Sequence, residues 1–288
     1  MIITESTVFC SQHLTDVVKL IRHLSYGSTE EPFTERNIYL DKVVIWNPGV
    51  MGSSWWGNSS LCDDQGIPIN NGLALGPPTG TGAGSRGGNC TAVGINGEAA
   101  FRFEKGYYIF DGPGDDFITF EGSFSWGFKV DGLCCELAHV EVSEDAQHWY
   151  YNTAEQYDLN PKPSENNPNY VHESVKNMHG NNPTWANHTM DMQAFEIQSV
   201  NGVKKWVKVP NVYVSKDFKP TDPYLGGDRF DLSTFQSIID NTPWPKHGKM
   251  RYVKIIDDDR VIDGQDYNKP WCLGAQMQSA MGIHVKKE

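Results

Sequence analysis

From Tyr39 onward the chain alternates apolar and polar side chains in short runs, each closed by a cluster of Gly, Pro, Asn or Asp. YLDKVVIWNPG reads as a buried strand ended by Asn-Pro-Gly. In EAAFRFEKGYYIF, Phe101 and Phe103 alternate with Ala100, Arg102 and Glu104, the mark of a strand with one buried face. FITFE, Phe117 to Glu121, is rich in the β-branched and aromatic residues that suit a pleated surface. In LAHVEVS, Ala138, Val140 and Val142 oppose Leu137, His139, Glu141 and Ser143. FEIQSVNGVKKWVKVP places two such runs around Asn201-Gly202, a strong signal for a two-residue hairpin. RYVKIIDDD and WCLGAQMQSAMGIHV close the series. Many short strands separated by turn signals predict an all-β chain, an antiparallel β-sandwich of jelly-roll type with long loops.

Helical spacing is confined to two places. Val17, Val18, Leu20, Ile21 and Leu24 predict a short amphipathic helix within an N-terminal leader, residues 1–38. Leu232 to Ile239 carries a weaker helical pattern. The expected organisation is therefore a partly helical leader, 1–38, and a single sandwich domain, 39–288. Two loops stand out. Residues 50–90 contain SSWWGNSS, INNG and GPPTGTGAGSRGG, and residues 152–189 are crowded with Asn and Pro. Loops of this length in a compact domain usually carry function or bind a metal. The glycine-rich stretch is not a phosphate loop, because GxxxxGK[ST] is absent and no βαβ context follows.

Composition narrows the function. The formal net charge of −12 argues against a nucleic-acid partner, which needs a basic field. It suits a protein that carries divalent cations. No apolar run approaches the roughly eighteen residues that span a bilayer, so no membrane span is expected. Six cysteines, with no CxxC pair, disfavour structural zinc and favour disulfides in an oxidising compartment. Cys62 and Cys90 fall in glycine-rich loops and are expected to pair. An extracellular or cell-surface location follows from this composition rather than from a visible signal: the first residues lack a basic start before a long apolar run.

The most concentrated chemistry lies in DGPGDDFITFE, Asp111 to Glu121. Gly112, Pro113 and Gly114 constrain a turn that carries Asp111, Asp115 and Asp116, and Glu121 ends the strand behind it. Clustered hard oxygen donors are what Ca²⁺ selects; a solvated acidic turn is the plainer alternative. YLGGDRFDLSTF adds Asp228 and Asp231 beside Gly226 and Gly227, in the same site or a second one. Nine Trp, twelve Tyr and thirteen Phe suit stacked sheets and also sugar-binding surfaces. Trp55, Trp56, Trp126 and Trp185 are the candidate ligand-stacking aromatics, with loop anchoring the alternative for Trp55 and Trp56. His172, His179 and His188 lack HExxH or HxH spacing and read as surface histidines.

Six pieces in order, LALGPPTG, FDGPGDDFITFE, LAHVEVSEDAQHWY, GNNPTWANHT, YLGGDRFDLSTF and RYVKIIDDD, together resemble one group. It comprises bacterial secreted or surface-anchored proteins with a discoidin-like, galactose-binding-like β-sandwich, including surface lipoproteins. The resemblance spans roughly residues 39–285 and implies a jelly roll, a cell-surface location and bound calcium. Asp111, Asp115 and Asp116 match that group's DGPGxDF turn, Glu121 its following glutamate, and Asp228 and Asp231 its GGDRFDLS piece. Gly122 departs from the pattern after Glu121. Gln276 and Gln278 stand where the group's last strand carries acids, which weakens any metal site built on that strand. No lipobox-like cysteine follows a signal peptide, so lipid anchoring is not implied.

Three function classes remain. The expected one is an extracellular, calcium-stabilised binding module or adhesin that recognises a glycan or a surface protein. The alternatives are a glycan-active hydrolase or lyase and a structural surface or fibre protein. The first alternative needs two carboxylates at a set separation, and the second would show repeats. No GxSxG elbow or recognisable cysteine nucleophile occurs, so no catalytic residue is assigned.

Overall fold

The computed structural model describes residues 37–51, 62–69, 71–80, 90–122, 124–125, 133–134, 137–156, 176–200, 203–257 and 274–288. The chain divides between Thr34 and Glu35 into two units, and all described residues belong to the second. The helix expected in the leader therefore lies outside the described residues, whereas Ile38, the last leader residue, is buried in the main core.

The architecture is all-β and antiparallel. The strands are β1 (Leu40–Asn47), β2 (Thr91–Ala92), β3 (Glu98–Phe103), β4 (Tyr107–Ile109), β5 (Phe117–Glu121), β6 (Phe124–Ser125), β7 (Leu133–Cys134), β8 (His139–Ser143), β9 (Trp149–Asn152), β10 (Met192–Val200), β11 (Val203–Val214), β12 (Asp228–Phe230), β13 (Phe235–Ser237), β14 (Tyr252–Ile256), β15 (Gln276–Gly282) and β16 (Val285–Lys287). A six-stranded sheet runs β1-β3-β14-β8-β9-β13, and a four-stranded sheet runs β12-β5-β15-β2. The predicted alternation sets the register of the larger sheet. Val253 of β14 lies between Phe101 and Val142, and Ile255 lies between Ala99 and Val140. These side chains share one face, as a period of two requires. Together with Phe117, Phe230 and Met277 of the smaller sheet they form the main core. Burying each of the large apolar side chains contributes roughly 1.5–3 kcal/mol relative to exposure.

The smaller sheet is covered on its second face as well. Every residue of β5 is buried. Phe117 belongs to the main core, whereas Ile118 and Phe120 pack into a second cluster with Trp185, Phe195, Leu225 and Met281. The β10–β11 hairpin and the segments around 185 and 225 supply that cover. Val200 pairs with Val203, as the Asn-Gly signal predicts; the two turn residues lie outside the described ones. A register shift interrupts the hairpin between Gln193 and Phe195. There the Gln193 side-chain amide donates to Val209 O at 2.7 Å and Val212 O at 2.9 Å, satisfying carbonyls around Pro210.

One expected element is different. Leu232 to Ile239 is not a helix: Leu232–Thr234 is a single 3-10 turn, and Phe235–Ser237 is β13. Leu232 and Phe235 imitate helical spacing because both enter the main core, one from the turn and one from the strand.

Candidate functional site

The acidic turn is built around Asp116. Gly112 lets the chain pass His284, since a Cβ there would fall 2.1 Å from the His284 Nδ1. Gly114 adopts φ +81°, in the left-handed region that glycine tolerates. Asp116 is fully buried, and three groups donate to its carboxylate. Gly112 N (2.8 Å) and His284 Nδ1 (2.6 Å) reach Oδ1, and Leu232 N (2.7 Å) reaches Oδ2. With Asp116 ionised, His284 Nδ1–H is the donor in that contact, because a carboxylate only accepts. Burial pushes the Asp116 carboxyl above its ordinary range, against the pull of His284, Leu232 and Gly112. Its main chain also bonds both flanking strands, with Asp116 N donating to Phe230 O and Ile283 N donating to Asp116 O.

Asp111 and Asp231 flank this residue. One ligand oxygen from each of Asp111, Asp116 and Asp231 lies within 4.8 Å of the others. Asp231 caps the 3-10 turn, its Oδ1 accepting from Ser233 N at 2.8 Å. The Asp111 carboxyl is raised by burial first, then by the charges of Asp116 and Asp231, while His284 opposes the rise. The arrangement is thus a crowded carboxylate triad with one imidazole beside it. Asp116 Oδ2 accepts only from Leu232 among the described groups, leaving it a lone pair; Asp111 and Asp231 offer further oxygens. That set fits a hard cation with part of its shell supplied by water.

The other three predicted ligands go elsewhere. Asp115 is exposed and lies near Arg229 rather than in the triad. Glu121 is buried at the far end of β5, opposite Met277, where its carbonyl accepts from Thr184 Oγ1. Asp228 is buried and holds the segment after His179. Its Oδ2 accepts from Gly180 N (2.7 Å) and Asn181 N (3.1 Å), and its Oδ1 from Asn182 N (3.1 Å) and Asn182 Nδ2 (2.8 Å). Burial pushes its carboxyl up to about 7 against these four donors. Gly226 and Gly227, at φ +68° and +71°, let the chain fold back here: a Cβ on Gly226 would sit 1.8 Å from Pro183 O.

This fold-back opens a cavity of about 680 Å³ between the hairpin, residues 182–185 and residues 221–229. Asp115, Asp228 and Trp185, three of the residues singled out in the sequence, line it together with Trp206, Tyr224 and Arg229. Trp185 is only 2% exposed and stacks on Phe195 with ring centroids 4.4 Å apart. Its face is therefore covered rather than open to a sugar. Its indole Nε1 is itself fully buried and has no hydrogen-bond acceptor among the described residues. Trp206 meets Trp185 edge-on at 6.0 Å and is partly exposed. Sequence reasoning missed Trp206, Tyr224 and Arg229. Trp206 was hidden as an ordinary alternating position of β11, and Tyr224 and Arg229 become cavity residues only once the Gly226-Gly227 turn is formed.

Trp55, Trp56 and Trp126 lie outside the described residues. Cys62 and Cys90 are not joined by a disulfide, contrary to the expectation. Cys62 is buried against Met51 and Ala92, whereas Cys90 Sγ approaches Gln276 Oε1 at 2.9 Å beside Gly122; each thiol has its own seat in the packing. His179 is not a surface residue either. It is fully buried, with Nδ1 2.8 Å from Thr119 Oγ1 and Nε2 2.7 Å from the Gln276 carbonyl. The carbonyl requires Nε2–H, so Nδ1 accepts from the Thr119 hydroxyl. Burial lowers its pKa to about 4, so the ring is neutral at physiological pH. His188 is exposed as expected, and His172 lies outside the described residues. No protein-family model and no curated protein matches the chain.

Proposed function

We propose that the chain is an extracellular, non-enzymatic binding module of the galactose-binding-like type, recognising a glycan on a cell-surface or secreted partner. The observation that carries this reading is the cavity beneath the β10–β11 hairpin. It combines the exposed parts of Trp206 and Tyr224 with polar groups of Asp115, Asn182 and Arg229 around one concave volume. Such a mixture suits a ligand with apolar ring faces and hydroxyl edges. A hydrolase is supported less well. Asp228 spends both oxygens on four N–H donors, and a glycosidase needs two available carboxylates across the substrate.

Calcium has a structural part in this proposal. Bound at Asp111, Asp116 and Asp231, it would relieve their mutual repulsion and tie the acidic turn to the start of the 3-10 turn. Asp115, Glu121 and Asp228 are not ligands of that ion. The test is a glycan array probed with wild type and with Trp206→Ala, each in calcium and in chelator. The proposal expects a defined set of glycans bound by wild type and lost in the variant. Absence of any glycan signal, or a signal indifferent to Trp206, would overturn it.

A further inference from the structure

We propose that Tyr224 is the specificity-determining residue of the cavity, contacting a pyranose through its ring face and hydrogen-bonding one sugar hydroxyl through its own. This rests on the glycan-binding reading above and names the residue that makes the site selective. Pro223 and Tyr224 form a turn, and Tyr224 has φ +67°. After a proline in a turn, a positive φ is the place that glycine or asparagine ordinarily takes. Six non-glycine residues have positive φ among the described ones; four are asparagine, one is Ala146, and Tyr224 alone is bulky. The glycines come just after it, at Gly226 and Gly227. A tyrosine in the left-handed region carries strain that a glycine would not. Strain of this kind collects at ligand clamps, where the side chain is needed in one place.

The side chain supplies the second observation. Tyr224 is half-buried against the second cluster and also lines the cavity. Its hydroxyl has no hydrogen-bond partner among the described residues. Packing on the cluster asks for an apolar ring, which phenylalanine would satisfy, and the turn asks for glycine. Neither demand selects tyrosine; a ligand in the cavity does. The ring meets the apolar C–H face of a pyranose, and the hydroxyl exchanges a hydrogen bond with one of its hydroxyls. Trp206, partly exposed at the same cavity, adds a second apolar contact. A site that bonds one particular hydroxyl rejects sugars that lack it or hold it on the other face.

The test repeats the glycan array, in a protein concentration series, with the full chain as wild type, Tyr224→Phe, Tyr224→Gly and Tyr224→Ala, and measures their melting temperatures alongside. Tyr224→Phe should melt like wild type. It should bind the strongest glycans about fivefold more weakly and their epimers unchanged, so that the ranking flattens. Tyr224→Gly should lose affinity about tenfold. It should nevertheless melt about 2 °C above Tyr224→Ala, because glycine alone is free of the left-handed strain. Should the glycine and alanine variants not fold, Tyr224→Phe decides alone. Three results each overturn the proposal while the glycan-binding reading stands: wild-type affinity and ranking in Tyr224→Phe, undiminished binding in Tyr224→Gly, or Tyr224→Gly melting no higher than Tyr224→Ala. Absence of any glycan signal with wild type overturns both.

Discussion

Asp228 gives the sharpest prediction, because one carboxylate carries four N–H donors and the replacement of one atom reverses its chemistry. Asp228→Asn preserves shape but puts an NH₂ where an oxygen stood. If the amide nitrogen takes the Oδ2 place, Gly180 N and Asn181 N lose their acceptor; in the other orientation Asn182 N and Asn182 Nδ2 do. The new NH₂ is itself a buried donor facing donors. An orphaned buried donor costs about 1–3 kcal/mol, and rotation of the Asn182 side chain can spare one of them. The expected loss is therefore about 2–5 kcal/mol, equivalent to roughly 5–15 °C in melting temperature for a domain of this size. Urea unfolding followed by tryptophan fluorescence at pH 8 reads it as a lower midpoint with an unchanged slope. Asp115→Asn, at an exposed site, is the control and should change stability by less than about 0.5 kcal/mol. A loss below about 0.5 kcal/mol in Asp228→Asn would refute the claim that this carboxylate pins residues 180–182.

Three other outcomes follow from the geometry. His179 has a folded pKa of about 4, below the 6.5 of the unfolded chain, so the unfolded state gains the extra proton first as pH falls. Its contribution is full above pH 6.5 and is lost towards pH 4, about 3 kcal/mol in all; the pH dependence of stability should be shallower in His179→Gln, and parallel profiles would contradict this. Gly227→Ala combines φ +71° with a Cβ 2.7 Å from Thr119 O, whereas Gly106→Ala, at φ +86°, meets open space. Chemical denaturation should show the first to cost clearly more than the second, which bears only the roughly 1–2 kcal/mol of left-handed strain. For calcium, melting in chelator should lie below melting in excess ion, by about 2.7 kcal/mol of stability at a hundredfold excess over Kd. Asp111→Asn should remove that response, and identical wild-type melts would show the triad to be an acidic turn only.

Strands were legible because burial on one face imposes a period of two that survives in sequence, as Phe101/Phe103 and Val140/Val142 show. The second cluster was not. In β5 all five residues are buried, so alternation carries no information there about which face meets what. The roles of the acids were equally hidden. Asp116 and Asp228 are distinguished from Asp115 by backbone N–H groups at Leu232 and at Gly180–Asn182, far away along the chain. Asp111 and Asp116 could be recognised as neighbours from the turn; the third member of their triad, Asp231, arrives only because β12 pairs with β5. His179 looked like a surface residue in an Asn-rich loop, and burial came from its contacts with Thr119 and Gln276 on two other strands.

The central claim, that a glycan enters the cavity beneath the hairpin, is tested most directly by the indole N–H resonances of a ¹⁵N-labelled sample titrated with a glycan selected on the array. Single Trp→Phe variants assign the signals. The account predicts that Trp185 and Trp206, which line the cavity, shift in parallel and saturably, while Trp244 in the main core stays in place. Saturable binding that leaves Trp185 and Trp206 unmoved would contradict it.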